Sequence, residues 1–139
     1  MKALYTTTAL STGGRSGKVA VNGSSLKFEM SPPAEMGGTK TGVNPEQLFA
    51  AGYAACFGSA LQHVIRVRKL YIPAPDVRLT VGIDKNEAGG YFLSAEIVGI
   101  IKEVDQGTAD ELVKEAHTIC PYSKATRSNI EVAVSAIIE

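Results

Sequence analysis

The first thirty residues favour strands, and apolar and polar residues alternate at the end of this region. In the stretch 26–30 the apolar side chains fall on one face. Asn22 and Gly23, a strong signal for a hairpin turn, separate this stretch from residues 18–21, of which the last three are apolar. We predict a hairpin from these two strands, preceded by a further strand at 3–10.

Two segments without periodicity interrupt this half of the chain. The first contains Arg15, which is flanked by Gly13, Gly14 and Gly17. The second, residues 31–43, holds two prolines and three glycines. A loop of that length in a small domain is usually functional, often as a lid or as the wall of a site.

A helix is predicted to begin directly after this loop. Asn44 can cap it, Pro45 suits the first helical position, and Gln47 completes a capping box. The helical pattern extends to about residue 70, either continuously or with a break near residues 56–58.

The second half of the chain predicts strands and a helix in alternation. The expected elements are a strand at 77–83, a turn at 86–90, an antiparallel partner at 91–101, a helix that a capping box at 108–111 opens and Pro121 ends, and a strand at 130–138. The apolar face of that helix comprises Ala109, Leu112, Val113, Ala116 and Ile119. This order predicts an α+β fold with mainly antiparallel sheet, in one domain covering residues 1–139.

The first helix carries small side chains on several faces. They are Ala50, Ala51, Gly52, Ala54, Ala55, Gly58, Ser59 and Ala60. Small residues let two backbones approach closely, and a lone helix that buries so little bulk would be poorly held. We therefore expect this helix to pack against a copy of itself in a homodimer.

Composition narrows the function classes. The 14 basic and 14 acidic residues cancel, so no strong field favours nucleic acid or an anionic membrane. The longest charge-free apolar stretch, 48–61, has 14 residues and is too short to span a bilayer. Residues 1–8 lack the apolar region of a signal peptide. We expect a cytoplasmic protein, in which two cysteines are more often redox-active than structural.

The two cysteines are the main candidates for chemistry. Cys56 lies in an apolar, small-residue stretch, where a free cysteine is either an inert small hydrophobe or a nucleophile activated by a nearby cation. Cys120 lies at a predicted helix C-terminus, where partial negative charge disfavours a thiolate. If the two meet in space, Cys56 is the nucleophile and Cys120 the resolving thiol of a peroxidase.

Arg15 is the best candidate for the activating cation, because guanidinium stays charged even in a dry pocket. Glu46, in the first helical turn, can hold Arg15 through a bidentate pair or merely complement the helix dipole. Ten residues separate Glu46 from Cys56, about 15 Å along an unbroken helix. Either the helix breaks before Cys56, or a partner chain supplies Glu46 or Arg15.

Other kinds of site have less support. His117 and Cys120 are three residues apart on one helical face, but the chain has two histidines and no paired ligand motif, so we predict no metal site. The glycines around Arg15 match neither a phosphate loop nor a dinucleotide fingerprint, and no cofactor is expected.

Two motifs resemble those of the Ohr/OsmC superfamily, specifically its organic hydroperoxide resistance (Ohr) branch. Residues 44–57, Asn-Pro-Glu-Gln-Leu-Phe-Ala-Ala-Gly-Tyr-Ala-Ala-Cys-Phe, look like the superfamily's peroxidatic motif. Residues 120–127, Cys-Pro-Tyr-Ser-Lys-Ala-Thr-Arg, look like the Ohr form of the second motif. Arg15 matches the family's glycine-flanked arginine, and Ser128 departs from a position where glycine is common. The resemblance covers essentially the whole chain.

The resemblance implies an Ohr/OsmC-like fold, with antiparallel sheets around the small-residue-rich helix, in an intertwined homodimer with two interfacial active sites. It implies reduction of organic hydroperoxides, with Cys56 as peroxidatic and Cys120 as resolving cysteine. Arg15 and Glu46 would orient and activate. The electron donor of the family is a dithiol on a lipoylated protein.

Two alternatives use the same residues differently. A thiol redox sensor would form the disulfide as a signal, and a small-lipid carrier would use the apolar pocket with the cysteines incidental. Peroxide consumption with excess dithiol distinguishes them, because turnover indicates an enzyme, oxidation by one equivalent a sensor, and no reaction a carrier.

Overall fold

The computed structural model describes residues 2–139. Its strands and helices are, in chain order, β1 (Ala9–Thr12), β2 (Lys18–Val21), β3 (Lys27–Glu29), α1 (Pro45–Val67), β4 (Asp76–Lys85), β5 (Tyr91–Ile101), α2 (Gln106–Ile119), α3 (Pro121–Thr126) and β6 (Glu131–Ile138). The predicted α+β class is confirmed. Two compact units divide the chain, the first ending at Leu48 and the second spanning Phe49–Glu139. The single domain stays a prediction.

The first unit contains a three-stranded antiparallel sheet in the order β1-β2-β3. The hairpin of β2 and β3 is confirmed, and Gly23 at its turn has a φ of 70°, in the left-handed region that favours glycine. The extent predicted for β1 is wrong, because the strand covers residues 9–12 rather than 3–10. β1 pairs with the four residues of β2, Lys18 to Val21, and it extends only as far as that pairing.

The segment 31–43 is a long loop, as predicted, and its two ends are joined by a β-bridge and a hydrogen bond to a side chain. Met30 and Val43 form an isolated bridge, and the Gly42 N–H donates to Ser31 Oγ at 2.6 Å. A single 3-10 turn, Ala34–Met36, lies inside the loop.

The second unit contains the sheet β4-β5-β6. β4 and β5 form the predicted antiparallel pair across the turn at 86–90, while β6 returns through α2 and α3 to lie parallel to β5. Three of the four strand pairings are therefore antiparallel, as expected. The core packs the helices on this sheet, and its fully buried large apolar side chains are Tyr53, Phe57, Leu61, Ile97, Ile101 and Leu112.

α1 is continuous, so the break considered near residues 56–58 is wrong. Tyr53, Phe57 and Leu61 follow one another at four-residue intervals and are fully buried on one face of α1. This buried face stabilises the helix although it contains glycines. The helix ends at Val67 rather than near residue 70, where Lys69 takes a left-handed conformation, with a φ of 57°. By length and composition α1 would suffice to cross a bilayer, but a core helix of a soluble protein meets the same criterion.

α2 begins earlier than the predicted capping box. Its N-cap is Asp105, whose carboxylate accepts a hydrogen bond from the Thr108 N–H at 2.7 Å. Thr108 is thus the third helical residue and not the cap, because the aspartate three positions upstream caps a helix at least as well. The predicted apolar face is wrong at Ile119, because this side chain, at the last helical position, is 37% exposed and does not belong to the buried face.

Pro121 ends α2 as predicted, but it also begins α3, a helix that the sequence pattern did not predict. Cys120 is both the C-cap of α2 and the N-cap of α3, and Pro121 occupies the first position of α3. Proline is well tolerated there, because that N–H has no partner inside a helix.

Gly99 of β5 packs so closely under α2 that a Cβ would lie 2.5 Å from a methyl group of Val113. Gly99→Ala should therefore destabilise the protein by about 1–3 kcal/mol through overpacking. Chemical denaturation of Gly99→Ala, Val113→Ala and the double variant measures this, and the double variant should lose less than the sum of the two. Strict additivity would contradict the predicted clash.

Candidate active site

The two cysteines lie side by side in the second unit. The sulfur atoms of Cys56, on α1, and Cys120, at the α2–α3 junction, are 3.5 Å apart, and both thiols are free. A disulfide requires an S–S distance of about 2.05 Å, so bond formation needs an approach of about 1.5 Å. The predicted meeting of the two thiols is confirmed as geometry.

Their burial is the reverse of what the sequence neighbourhood suggested. Cys120 is fully buried, and Cys56, expected to be embedded in apolar surroundings, is half-buried. On a helix the neighbours of Cys56 point to other faces, so Phe57 is fully buried in the core while Cys56 turns partly to solvent. Phe57 is therefore part of the core and does not line an accessible pocket.

The surroundings of Cys56 act on its pKa in opposite directions. Burial raises the pKa of the Cys56 thiol, which is the largest effect, and the adjacent Cys120 raises it further. A hydrogen bond from the backbone N–H of Tyr122 lowers it. Taken together these contributions raise the pKa of Cys56, so they favour the protonated thiol.

Arg15 and Glu46 form a bidentate pair in the first unit. Arg15 Nη1 donates to Glu46 Oε2 at 2.9 Å, and Nη2 donates to Oε1 at 2.6 Å. The Glu46 side chain is 14% exposed, and its hydrogen bonds from Arg15 lower the pKa of the carboxyl despite its burial. The predicted carboxylate clamp on Arg15 is thus present.

Local backbone geometry positions both members of this pair. Arg15 lies in the 3-10 turn Gly14–Ser16, where Gly13 and Gly14 have φ values of 80° and 57°, and a Cβ on Gly17 would collide with the Thr12 carbonyl. Glu46 lies within the confirmed capping box, in which the Asn44 and Gln47 side chains each accept the other's backbone N–H at 2.9 Å. The four predicted residues are thus brought together as two pairs.

An aromatic cluster beside the thiols was not predicted. The Tyr122 ring lies 5.6 Å from that of Tyr53 and 6.4 Å from that of Phe49, centroid to centroid. A Cβ on Gly52 would lie 3.1 Å from the Tyr122 hydroxyl, so this small residue makes room for the ring. Tyr122 remains 40% exposed, and its backbone N–H is hydrogen-bonded to Cys56.

A chain of polar side chains lies beneath this cluster. It links His117, Ser123, Tyr53 and Thr126 through hydrogen bonds of 2.8 to 3.1 Å. Burial and the positive charge of Arg127 lower the pKa of His117. Within residues 2–139 no group of three His, Cys, Asp or Glu side chains is arranged to hold a metal ion.

The Arg15–Glu46 pair predicts a pH dependence of stability. Because the folded-state pKa of Glu46 is lowered, its contribution is complete above about pH 4.3, the unfolded value, and is lost as pH falls through the folded value. The difference in unfolding free energy between wild type and Glu46→Gln should therefore shrink below about pH 4.3. Glu35→Gln, at an exposed carboxylate of the same unit, is the matched control. A wild-type advantage that persists unchanged into acid would contradict the role of the pair.

Comparison with known proteins places the chain in a family. Residues 37–135 match the model of the OsmC-like protein family. The organic hydroperoxide resistance protein OhrB of Bacillus subtilis is 43% identical over 131 residues, covering 94% of this chain and 96% of that protein. The organic hydroperoxide resistance protein of Xanthomonas axonopodis pv. citri is 42% identical over 136 residues, covering 96% and 95%.

Solved structures agree with this assignment. An organic hydroperoxide resistance protein from Elizabethkingia anophelis, crystallised with thiocyanate bound, superimposes with a TM-score of 0.94 at 44% identity and covers both chains completely. The structure of Bacillus subtilis OhrB superimposes with a TM-score of 0.88 at 42% identity, covering 97% of this chain and 100% of that one. The predicted Ohr/OsmC-like fold is therefore confirmed, and the chain belongs to the OsmC-like family, on the branch of the organic hydroperoxide resistance proteins.

Proposed function

We propose that this protein is a thiol-dependent peroxidase that reduces organic hydroperoxides to alcohols. The observation that carries the proposal is the 3.5 Å separation of two free thiols, one half-buried and one fully buried. The names of its relatives, which describe resistance to organic hydroperoxides, support the same substrate class.

Unequal access to solvent supports the assignment of roles. A peroxide in solution can approach the half-buried Cys56, whereas Cys120 is 0% exposed. Cys56 is therefore the peroxidatic cysteine. Cys120 is the resolving cysteine, because a thiol in contact with Cys56 needs no access to solvent to attack it.

The reaction proceeds in two steps and a regeneration. The Cys56 thiolate attacks the outer oxygen of the peroxide, the O–O bond breaks, and the alkoxide leaves as the alcohol after taking a proton. Cys120 then attacks the Cys56 sulfenic acid, forming the S–S bond and releasing water. A dithiol donor reduces this disulfide by exchange and becomes a disulfide itself. A lipoylated protein in the cytoplasm is the donor that the family resemblance suggests.

The thiolate needs a cation, because the surroundings of Cys56 described above favour the protonated thiol. Arg15, held flat by Glu46, is the proposed source of that charge, and it also stabilises the charge that develops on the breaking O–O bond.

The pair is proposed to act on Cys56 of a second copy of the chain. α1 is unbroken, and ten residues of helix between Glu46 and Cys56 correspond to a rise of about 15 Å. A homodimer has further support from α1 itself, since Ala51, Ala55 and Ser59 form an exposed, small-residue face at four-residue spacing.

Organic substrates are preferred because an apolar surface lies near the thiols. Phe49 and the partly exposed Tyr122 offer a substituent apolar contact, and each buried methylene contributes about 0.8 kcal/mol. Hydrogen peroxide has no substituent to bury, so kcat/KM should be higher for alkyl and aryl hydroperoxides.

Peroxide consumption with excess dithiol tests the function. Cys56→Ser should abolish turnover of tert-butyl and cumene hydroperoxide, while Cys120→Ser should react once and then stall or overoxidise. Loss of the first oxidation in Cys120→Ser would reverse the two roles. Oxidation of the wild type by one equivalent without turnover would instead identify a sensor, and no reaction a lipid carrier.

Mixed dimers test whether the site is shared between subunits. Arg15→Ala and Cys56→Ser should each be nearly inactive, but refolding them together should restore about a quarter of wild-type activity, because half of the dimers then hold one complete site. Cys56→Ser refolded with Cys120→Ser is the control and should restore nothing, since these two thiols lie in one chain. Failure of the first mixture to gain activity would show that each chain builds its own site.

A further inference from the structure

The hydrogen bonds beneath the thiols run in one direction. Thr126 Oγ1 donates to the Ser123 carbonyl at 3.2 Å, and a hydroxyl has one proton to give. Tyr53 must therefore donate to Thr126 at 3.1 Å, and Ser123 Oγ to Tyr53 at 2.9 Å. His117 Nδ1 then donates to Ser123 Oγ at 2.8 Å. The chain of bonds is complete, because every hydroxyl in it both accepts and donates.

This network joins the two elements that carry the cysteines. Tyr53 precedes Cys56 by three residues on α1, while Ser123 and Thr126 belong to α3, which begins directly after Cys120. The three hydroxyl groups are buried, and Tyr53 and Ser123 are fully so. The Tyr53 hydroxyl is thus a polar link from the helix of Cys56 to the helix that Cys120 caps.

We propose that Tyr53 is a positioning residue for disulfide formation between Cys56 and Cys120. Resting on the proposed function, this assigns Tyr53 to the second step, in which the S–S bond forms and water leaves. By holding α3 on α1, its hydroxyl keeps the two sulfur atoms at 3.5 Å and so raises the effective concentration of Cys120 at Cys56. It takes no part in the first attack on the peroxide.

Tyr53→Phe isolates the hydroxyl. The ring that packs against Phe49 and Tyr122 remains, and so does its place in the core. Ser123 keeps its hydrogen bond from His117, and Thr126 keeps its bond to the Ser123 carbonyl. Tyr71→Phe is the matched control, because it removes the same atom from a tyrosine that is 94% exposed.

Two measurements test the proposal. Equilibration with glutathione redox buffers gives the effective concentration of the Cys56–Cys120 pair without any peroxide. Rapid mixing with tert-butyl hydroperoxide separates the first oxidation from disulfide formation. In Tyr53→Phe both the effective concentration and the rate of disulfide formation should fall by at least about threefold, because one buried hydrogen bond is worth about threefold to tenfold and the hydroxyl makes two. The rate of the first oxidation should stay that of wild type and of Tyr71→Phe.

The outcomes separate this proposal from the proposed function. An unchanged effective concentration in Tyr53→Phe overturns the positioning role, as does an equal slowing of both steps. If the wild type does not consume peroxide, the proposed function fails, while the glutathione measurement still decides the role of Tyr53.

A second pair of variants guards against misfolding of Tyr53→Phe. Thr126→Val removes the hydroxyl to which Tyr53 donates, and Thr126→Ser retains it. Positioning requires that Thr126→Val lower the effective concentration and that Thr126→Ser restore it. Equal values for the two overturn the proposal.

Discussion

A hydroxyl group that leaves water must find a hydrogen-bond partner, and three of them do so together between α1 and α3. Their mutual satisfaction requires the two helices to sit in one relative position. Cys56 and Cys120 lie at the margin of that contact, 3.5 Å apart. Packing in the apolar core positions the helices, and the hydrogen bonds of Tyr53 orient α3 relative to α1.

Two free thiols in contact are not reactive by that alone. Burial raises the pKa of Cys56, while the backbone N–H of Tyr122 partly opposes the increase. The bidentate Arg15–Glu46 pair has the property that the thiols lack, because the guanidinium held by Glu46 carries a permanent positive charge in a defined plane. A division of labour between one subunit's thiols and the other's cation follows from the proposal that the site is shared.

Local signals in the sequence predicted the elements that local signals determine. The Asn22-Gly23 turn and the Asn44–Gln47 capping box appear in the structure as expected. The extent of β1 was wrong because a strand extends only as far as its pairing partner allows, here the four-residue β2. α3 was missed because Pro121 ends one helix and begins the next. The burial of Cys56 was misjudged, since neighbours in sequence point to different faces of a helix.

The candidate site divides in the same way. Cys56, Cys120, Arg15 and Glu46 could be found from motifs and chemistry. The link between Tyr53, Ser123 and Thr126 spans about seventy residues of sequence, and no periodicity signals such a contact. A buried tyrosine in a helix of small residues was the available clue, because its hydroxyl had to be satisfied by something.

The turn that carries Arg15 has a thermodynamic consequence. Its ends are tied by the β1–β2 pairing of Thr12 with Lys18, and its conformation is one that glycines adopt readily. Arg15 therefore projects from the tip of a closed hairpin and not from a flexible loop. The backbone of Arg15 therefore loses its conformational entropy when the sheet folds, before any substrate arrives. In the proposed mechanism the substrate then meets a cation already in place, and binding need not spend free energy on ordering it.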